Sequence, residues 1–341
     1  MKWTSLLELK PASGSRDSKM GAELDRAGTV FKDAPWELQF SHIKGLFKYL
    51  NPQQRKRTLD KILRSIPSNL ILEVLTSCLE KLDPEDRVAL RMASPVTVPI
   101  DYGNGELKIV CDSPVELSMR ARPKHKEPEL VEWIEATVRR GDVFYDIGAN
   151  IGAYSLIAAS VAEGGAQVVA IEPSLMNFER LARNIMLNKL EKRITPIPVA
   201  MTDRTGLDRL TMSSLTEGAA FNFLQRFTDG HALSSEVASK VGDGSRSIGT
   251  LAMSLDDLIG TFDLPVPTLL KIDIDGFENQ LFEGATRTFE NPRVRGVFIE
   301  LSRDENLELV SQKLGSFGFQ KTLEFVRGER SFNQAWMRES R

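Results

Sequence analysis

The feature that most constrains the fold of this chain is the stretch 143–155, where an apolar run meets a glycine turn and then a helical pattern. Its sequence is Val-Phe-Tyr-Asp-Ile-Gly-Ala-Asn-Ile-Gly-Ala-Tyr-Ser. A second apolar run follows at 168–174 and ends in Glu172 and Pro173. A strand, a glycine turn, a helix and a second strand are the parts of a βαβ unit, which predicts a parallel sheet covered by helices.

The composition is that of a globular protein. The 341 residues are 41% hydrophobic and 27% charged, and they suffice for one large domain and a small one. The net charge of -3 gives no general attraction to nucleic acid or to an anionic membrane. No apolar run suggests a signal peptide or a membrane span. We therefore expect a cytoplasmic enzyme with no membrane span and no nucleic-acid partner.

Three regions differ in their patterning. Residues 1–33 are polar and aperiodic, which predicts a flexible tail. Residues 34–94 carry apolar stripes at helical spacing, which predicts a small helical bundle suited to packing or to homodimer formation. Residues 95–341 alternate between strand and helix patterns and predict the main α/β domain.

Within the main domain, continuous apolar runs predict strands that are buried on both faces of a doubly wound sheet. The predicted strands lie near 143–147, 168–172, 194–200, 268–273 and 295–301, and the helices near 152–162, 174–188, 277–287 and 305–315. Residues 319–326 and 331–337 predict an antiparallel hairpin that closes the sheet. Residues 213–250 show no period and are rich in Gly, Ser and Asp, so we expect an irregular lid or insertion there.

The glycine turn predicts a nucleoside site, because ligands of doubly wound sheets lie at the carboxyl ends of the strands. Gly148 and Gly152 allow the tight turn and the close approach of the helix, and Glu172 can accept hydrogen bonds from a ribose diol. Asn150 stands where a dinucleotide fingerprint needs its middle glycine, and Asp146 would repel phosphate. An acid there suits a positively charged amino group, so the pattern favours S-adenosylmethionine over NAD.

Several blocks of the sequence together resemble the FkbM-type methyltransferases over about 125–340. The blocks are 146–152, Glu172-Pro173, 254–258, 271–278 and Glu300-Leu301. The resemblance implies a Rossmann-like class I fold and S-adenosylmethionine as cofactor. It also implies a small-molecule or glycan acceptor, with O-methylation of a hydroxyl on a sugar, glycan or secondary metabolite as the expected reaction.

Carried onto this sequence, the resemblance assigns the cofactor residues. The methionine part would lie by Asp146, Gly148, Ala149, Asn150 and Gly152, the ribose by Glu172 and Pro173, and the adenine by Ala200, Met201 and Asp203. Glu127 would help to enclose the amino acid part. Tyr154 would either close over the cofactor or serve only in packing.

Candidate catalytic residues follow the fourth predicted strand. Strand alternation places Lys271, Asp273 and Asp275 on one side. The FkbM family usually has Glu where this chain has Asp275, so Asp273 is the better candidate for orienting or deprotonating an acceptor. Glu300 completes the acidic cluster, and His231 in the irregular segment is a further candidate base.

Other chemistries stay open at this point. The acids near 273 could hold Mg²⁺, but no tight ligand motif supports a metal and we expect none. Structural ion pairing is the plain alternative for Lys271 and its neighbours. A methyltransferase of nucleic acid or protein lacks support from a basic stripe or aromatic platform. A non-catalytic binding module is disfavoured by the intact acids at 146, 172 and 273.

Overall fold

The computed structural model describes residues 82–93, 96–161, 165–212, 216, 218, 222–226, 246–274, 276–302, 306–327 and 331–339. The chain divides into two compact units, Met1–Ala93 and Ser94–Arg341. The predicted tail at 1–33 and most of the predicted bundle at 34–94 lie outside the described residues. Helix α1 (Pro84–Ala93) is the described part of the first unit, and Asp83 caps it by accepting a hydrogen bond from the Asp86 amide at 2.9 Å.

The second unit is built on a seven-stranded sheet. Its strands are β3 Val143–Ile147, β4 Gln167–Ile171, β5 Ile194–Ile197, β10 Leu269–Ile272, β11 Gly296–Ser302, β12 Phe319–Arg327 and β13 Ser331–Arg338. Across the sheet they lie in the order β12-β13-β11-β10-β3-β4-β5. The five strands β11, β10, β3, β4 and β5 pair in parallel, whereas β13 is antiparallel to both β11 and β12. The strand β13 therefore lies inside the sheet and β12 forms its edge.

Helices cover both faces of this sheet. They are α2 Pro123–Lys126, α3 Pro128–Thr137, α4 Ala153–Ser160, α5 Leu175–Leu187, α6 Leu255–Phe262, α7 Glu278–Glu283, α8 Thr286–Glu290 and α9 Asn306–Ser316. Phe144 belongs to one core cluster with residues of α3, α4 and α5. Its strand neighbours Val143 and Tyr145 belong to a second cluster with residues of α6 to α9. The alternation along β3 confirms the doubly wound arrangement, in which a central strand is buried on both faces.

A second, four-stranded sheet was not predicted. Its order is β6-β9-β7-β8, with β6 Ala200–Met201, β7 Gly206–Met212, β8 Asn222–Arg226 and β9 Arg246–Met253. The prediction that 213–250 is irregular is therefore wrong for β8 and the first half of β9. In β9 exposed and partly buried residues precede the buried Thr250 and Ala252, so the strand lacks the continuous apolar run that marks the central strands.

Two smaller features complete the fold. Strands β1 (Thr97–Pro99) and β2 (Lys108–Val110) pair antiparallel. The helix predicted at 277–287 is divided into α7 and α8 near Gly284, where an added Cβ would lie 2.4 Å from the Thr202 carbonyl oxygen. Among the described residues, no helix combines the length and the apolar character needed to cross a bilayer.

Candidate active site

A cavity of about 290 Å³ opens at the carboxyl ends of β3, β4 and β10, next to β11. This is the edge where ligands of doubly wound sheets bind. The cavity is lined by the glycine turn after β3, by residues that follow β4, β5 and β10, and by residues of α2 and the second sheet. The lining includes Gly148, Ala149, Asn150, Tyr154, Glu172, Pro173, Ala200, Met201, Lys271, Asp273 and Glu300.

The turn after β3 depends on three residues with positive φ. Gly148, Asn150 and Gly152 have φ of 78°, 51° and 89°. An added Cβ would lie 1.9 Å from the Asp273 carbonyl oxygen at Gly148, and 2.4 Å from the Leu181 Cδ1 at Gly152. Gly148 therefore lets the first turn approach the end of β10, and Gly152 lets α4 begin against α5.

Glu172 links the second strand to this turn. Its Oε2 accepts a hydrogen bond from the Asn150 amide and its Oε1 one from the Ser174 amide, each at 2.8 Å. Burial raises the pKa of Glu172 to about 7, although these amides act in the opposite direction. The side chain of Asn177 also hydrogen-bonds this carboxyl group, which lines the cavity.

Asp146 lies beneath the cavity rather than in its lining. It is fully buried, and its Oδ2 accepts a hydrogen bond from the Ser155 hydroxyl at 2.6 Å. The Lys271 Nζ lies 3.2 Å from the other oxygen, Oδ1. Asp146 is therefore absent from the cavity lining, and its assignment to the methionine part of the cofactor stays a prediction.

Lys271 connects the two strand ends. Its ammonium donates to the Gly148 carbonyl oxygen at 2.8 Å and lies 3.5 Å from the Asp273 Oδ2. Burial alone would lower the pKa of Lys271, but the carboxylates of Asp146 and Asp273 outweigh it and raise that pKa. Lys271 is therefore a fixed positive charge rather than a proton donor.

Asp273 and Glu300 face the same cavity with opposite pKa shifts. Burial favours protonation of Asp273, but the cations of Lys271, Lys126 and Arg120 outweigh it and lower its pKa. Burial and the charge of Asp273 raise the pKa of Glu300 to about 8. At neutral pH Asp273 is therefore ionised and Glu300 protonated, the pattern of groups with different acid–base roles.

Glu127 is absent from the cavity lining and lies in a network of charges beside Lys126, which does line it. Its side chain is 3% exposed, pairs with Lys126 and lies 3.6 Å from the Arg327 Nη1. Burial, with the carboxylates of Glu127 and Asp273, raises the pKa of Tyr154 well above its usual value. Tyr154 is thus a neutral phenol in the cavity wall.

The remaining predicted residues fall in different places. Asp203 lines a neighbouring cavity of about 300 Å³ instead, where it pairs with Arg226 at 3.3 Å. His231 and Asp275 lie outside the described residues. Within the described ranges, no group of three or more His, Cys, Asp or Glu side chains is arranged to hold a metal ion.

Sequence reasoning missed several residues of the cavity. Met119 and Arg120 come from a π-helical segment, Leu210 and Leu224 from the second sheet, and Phe277 from the segment before α7. Phe277 lies in the 271–278 block, but the other four belong to no local motif. Their contribution depends on segments that the fold brings back from a distance.

This strand order, with a glycine turn and acids around one cavity at the carboxyl edge, defines a Rossmann-like fold of the methyltransferase class. The sequence model described as the Methyltransferase FkbM domain matches residues 146–326, more than half of the chain. The chain therefore belongs to the FkbM methyltransferase family.

Individual relatives are more distant. The chain is 25% identical over 187 residues to the hexuronic acid methyltransferase AglP of Haloferax volcanii. This match covers 55% of this chain and 67% of that protein. It is 29% identical over 177 residues to the 31-O-demethyl-FK506 methyltransferase FkbM of Streptomyces tacrolimicus, and this match covers 48% of this chain and 66% of that protein. The chain thus spans about two thirds of the length of these two relatives. The crystal structure of a methyltransferase FkbM from Methylobacillus flagellatus matches with a TM-score of 0.40 and 20% identity, over 58% of this chain and 44% of that one.

Proposed function

We propose that this protein is an S-adenosylmethionine-dependent O-methyltransferase whose acceptor is a hydroxyl of a sugar, a glycan or a secondary metabolite. The observation that carries the proposal is the pair of carboxyl groups, Asp273 and Glu300, that face one cavity with opposite pKa shifts. The cavity lies at the strand edge where a nucleoside cofactor is expected.

The cavity suits S-adenosylmethionine in its chemistry. Apolar side chains of Ile171, Val199 and Met201 line the part that would take the adenine. Glu172 lies where its carboxylate would accept hydrogen bonds from the ribose hydroxyls. When bound, S-adenosylmethionine would supply an electrophilic methyl group.

The acids supply what a hydroxyl acceptor requires. Lys271 keeps Asp273 ionised, so this carboxylate can align a hydroxyl and accept its proton as the new carbon–oxygen bond forms. Glu300, protonated at neutral pH, can donate a hydrogen bond to a neighbouring oxygen of the acceptor. A polyhydroxylated molecule offers both kinds of oxygen.

The names of the two curated relatives agree with this acceptor class. One is a methyltransferase of a hexuronic acid, and the other acts on 31-O-demethyl-FK506. At 25% and 29% identity they support the class of acceptor and not a particular molecule.

The test has a binding arm and a turnover arm. Calorimetry with S-adenosylhomocysteine should show binding by the wild type, and transfer of a radiolabelled methyl group into sugars, glycan extracts or small metabolites should identify an acceptor. Asp273→Asn should keep the binding and lose turnover by about 100-fold or more. Absence of binding by the folded wild type would end the proposal.

A matched variant controls for the loss of a single charge. Asp263 is exposed after α6 and has a φ of 50°, a conformation that Asn tolerates well. Asp263→Asn should keep both binding and turnover. Equal turnover in Asp273→Asn and Asp263→Asn would remove Asp273 from the reaction.

A further inference from the structure

Arg120 differs from the other cations of the cavity in the partners it has. Lys271 pairs with Asp146 and Asp273, and Lys126 pairs with Glu127. The Arg120 guanidinium donates through Nε to the Gly218 carbonyl oxygen at 2.9 Å. Among the described residues, its two terminal nitrogens have no hydrogen-bond partner.

Arg120 is part of the cavity wall. Arg120 lines the cavity together with Lys126, Asp273 and Tyr154. Burial raises the pKa of Asp273, and the charge of Arg120 helps Lys271 and Lys126 to lower it. Arg120 and Asp273 therefore line the same cavity.

A buried ion pair fixes the segment that carries Arg120. The π-helical segment Glu116–Arg120 begins at a fully buried Glu116, whose Oε1 lies 2.8 Å from the Nε of Arg180 on α5. The other oxygen of Glu116 accepts hydrogen bonds from the amides of Asp112 and Ser113 at 2.7 and 3.0 Å. Removing Arg180 would leave the buried Glu116 charge without its ion pair, so this pair holds the segment in place.

The residue that Arg120 contacts is held by the same helix. The Gly218 amide donates to the Asn177 Oδ1 on α5 at 2.9 Å. An added Cβ at Gly218 would lie 3.0 Å from the Glu116 Cγ and 3.3 Å from the Arg120 Cγ. Both ends of the Arg120 side chain are therefore positioned against α5 before any ligand arrives.

We propose that Arg120 binds the α-carboxylate of the methyl donor's amino acid part. This inference rests on the proposed function. The amino acid part carries a carboxylate and an ammonium, and an ionised carboxylate of the cavity would repel the first of these. A guanidinium whose two terminal nitrogens have no partner among the described residues matches a carboxylate in charge and in planar, two-pronged geometry.

Two ligands that differ in one group test the assignment. S-adenosylhomocysteine carries the carboxylate, and S-adenosyl-3-thiopropylamine is the same molecule without it. By calorimetry, the wild type should bind the first about 10- to 100-fold more tightly. In Arg120→Gln this difference should disappear through weaker binding of S-adenosylhomocysteine, with affinity for the decarboxylated ligand kept within about threefold.

Two further variants complete the cycle. Arg120→Lys keeps the positive charge but lacks the planar pair of terminal nitrogens, so it should keep part of the preference for S-adenosylhomocysteine. Arg122→Gln removes an exposed arginine two residues along and should bind both ligands as the wild type does.

The outcomes separate this inference from the proposed function. An unchanged preference in Arg120→Gln would overturn the inference. An equal loss of both ligands would also overturn it. A wild type that binds neither ligand would instead refute the proposed function.

Discussion

The backbone of Gly148 lies against the carbonyl oxygen of Asp273, so closely that a β-carbon on residue 148 would fall 1.9 Å from that oxygen. The ammonium of Lys271 spans the same junction by donating to the Gly148 carbonyl oxygen at 2.8 Å. The turn that would receive the cofactor and the strand end that would receive the acceptor are thus one packed unit.

We expect Gly148→Ala to destabilise the protein by about 2–5 kcal/mol, because it adds both a backbone clash and a side chain at positive φ. Denaturant unfolding would measure the loss. Gly260 lies inside α6 with nothing within 4 Å of an added Cβ, so Gly260→Ala should stabilise the protein by about 0.5–1 kcal/mol. Equal stability of the two variants would contradict the close contact.

Binding of S-adenosylhomocysteine should release a proton from Glu172. The pKa of this carboxyl is raised to about 7 by burial, and the ribose hydroxyls require its ionised form. Affinity should therefore fall by up to about tenfold per pH unit below pH 7 and level off above it. Calorimetry in buffers of different ionisation enthalpy would count the proton, and Glu172→Gln should bind more weakly with no such release.

Glu300 should make the protein less stable as the pH rises. Its pKa is about 8 in the folded protein against 4.5 for a glutamate in the unfolded chain, so between these values the folded state holds one proton more than the unfolded state. The free energy of unfolding should decrease across this window and change no further above about pH 8. Glu300→Gln should remove this contribution, and parallel pH profiles for the two proteins would refute the assignment.

Breaking the Glu116–Arg180 pair should cost about 3–5 kcal/mol of stability, because one buried charge loses its partner. Arg180→Met is the test variant. Adding Glu116→Gln should recover part of the loss, since the remaining charge is then gone. Additive losses in the double variant, measured by denaturant unfolding, would show that the two side chains do not stabilise each other.

The central strands could be predicted from the sequence because they are buried on both faces. All five residues of Val143–Ile147 are buried, so an apolar run and a strand coincide. The acids at the carboxyl ends followed from the same rule, and the structure brings Glu172, Asp273 and Glu300 into one cavity. The rule cannot tell an acid in the lining from one beneath it, as for Asp146.

The second sheet and Arg120 could not be predicted for a different reason. Strand β8 has buried and partly exposed residues in a short run, and it pairs with β7 across a segment that carries no apolar period. The position of Arg120 depends on Arg180 and on Gly218, which are 60 and 98 residues away in sequence. Interactions at that separation leave no local pattern.

The second sheet leaves and rejoins the main fold at one place. Ala200 and Ala252 are neighbours in parallel strands, and the Thr202 amide donates to the Met253 carbonyl oxygen at 3.0 Å. A segment whose two ends meet can be exchanged as a cassette without moving the strands on either side. Grafting the corresponding segment of a relative would replace the wall formed by Leu210 and Leu224 and keep Glu172, Asp273 and Glu300, a route to redesigning what the cavity admits.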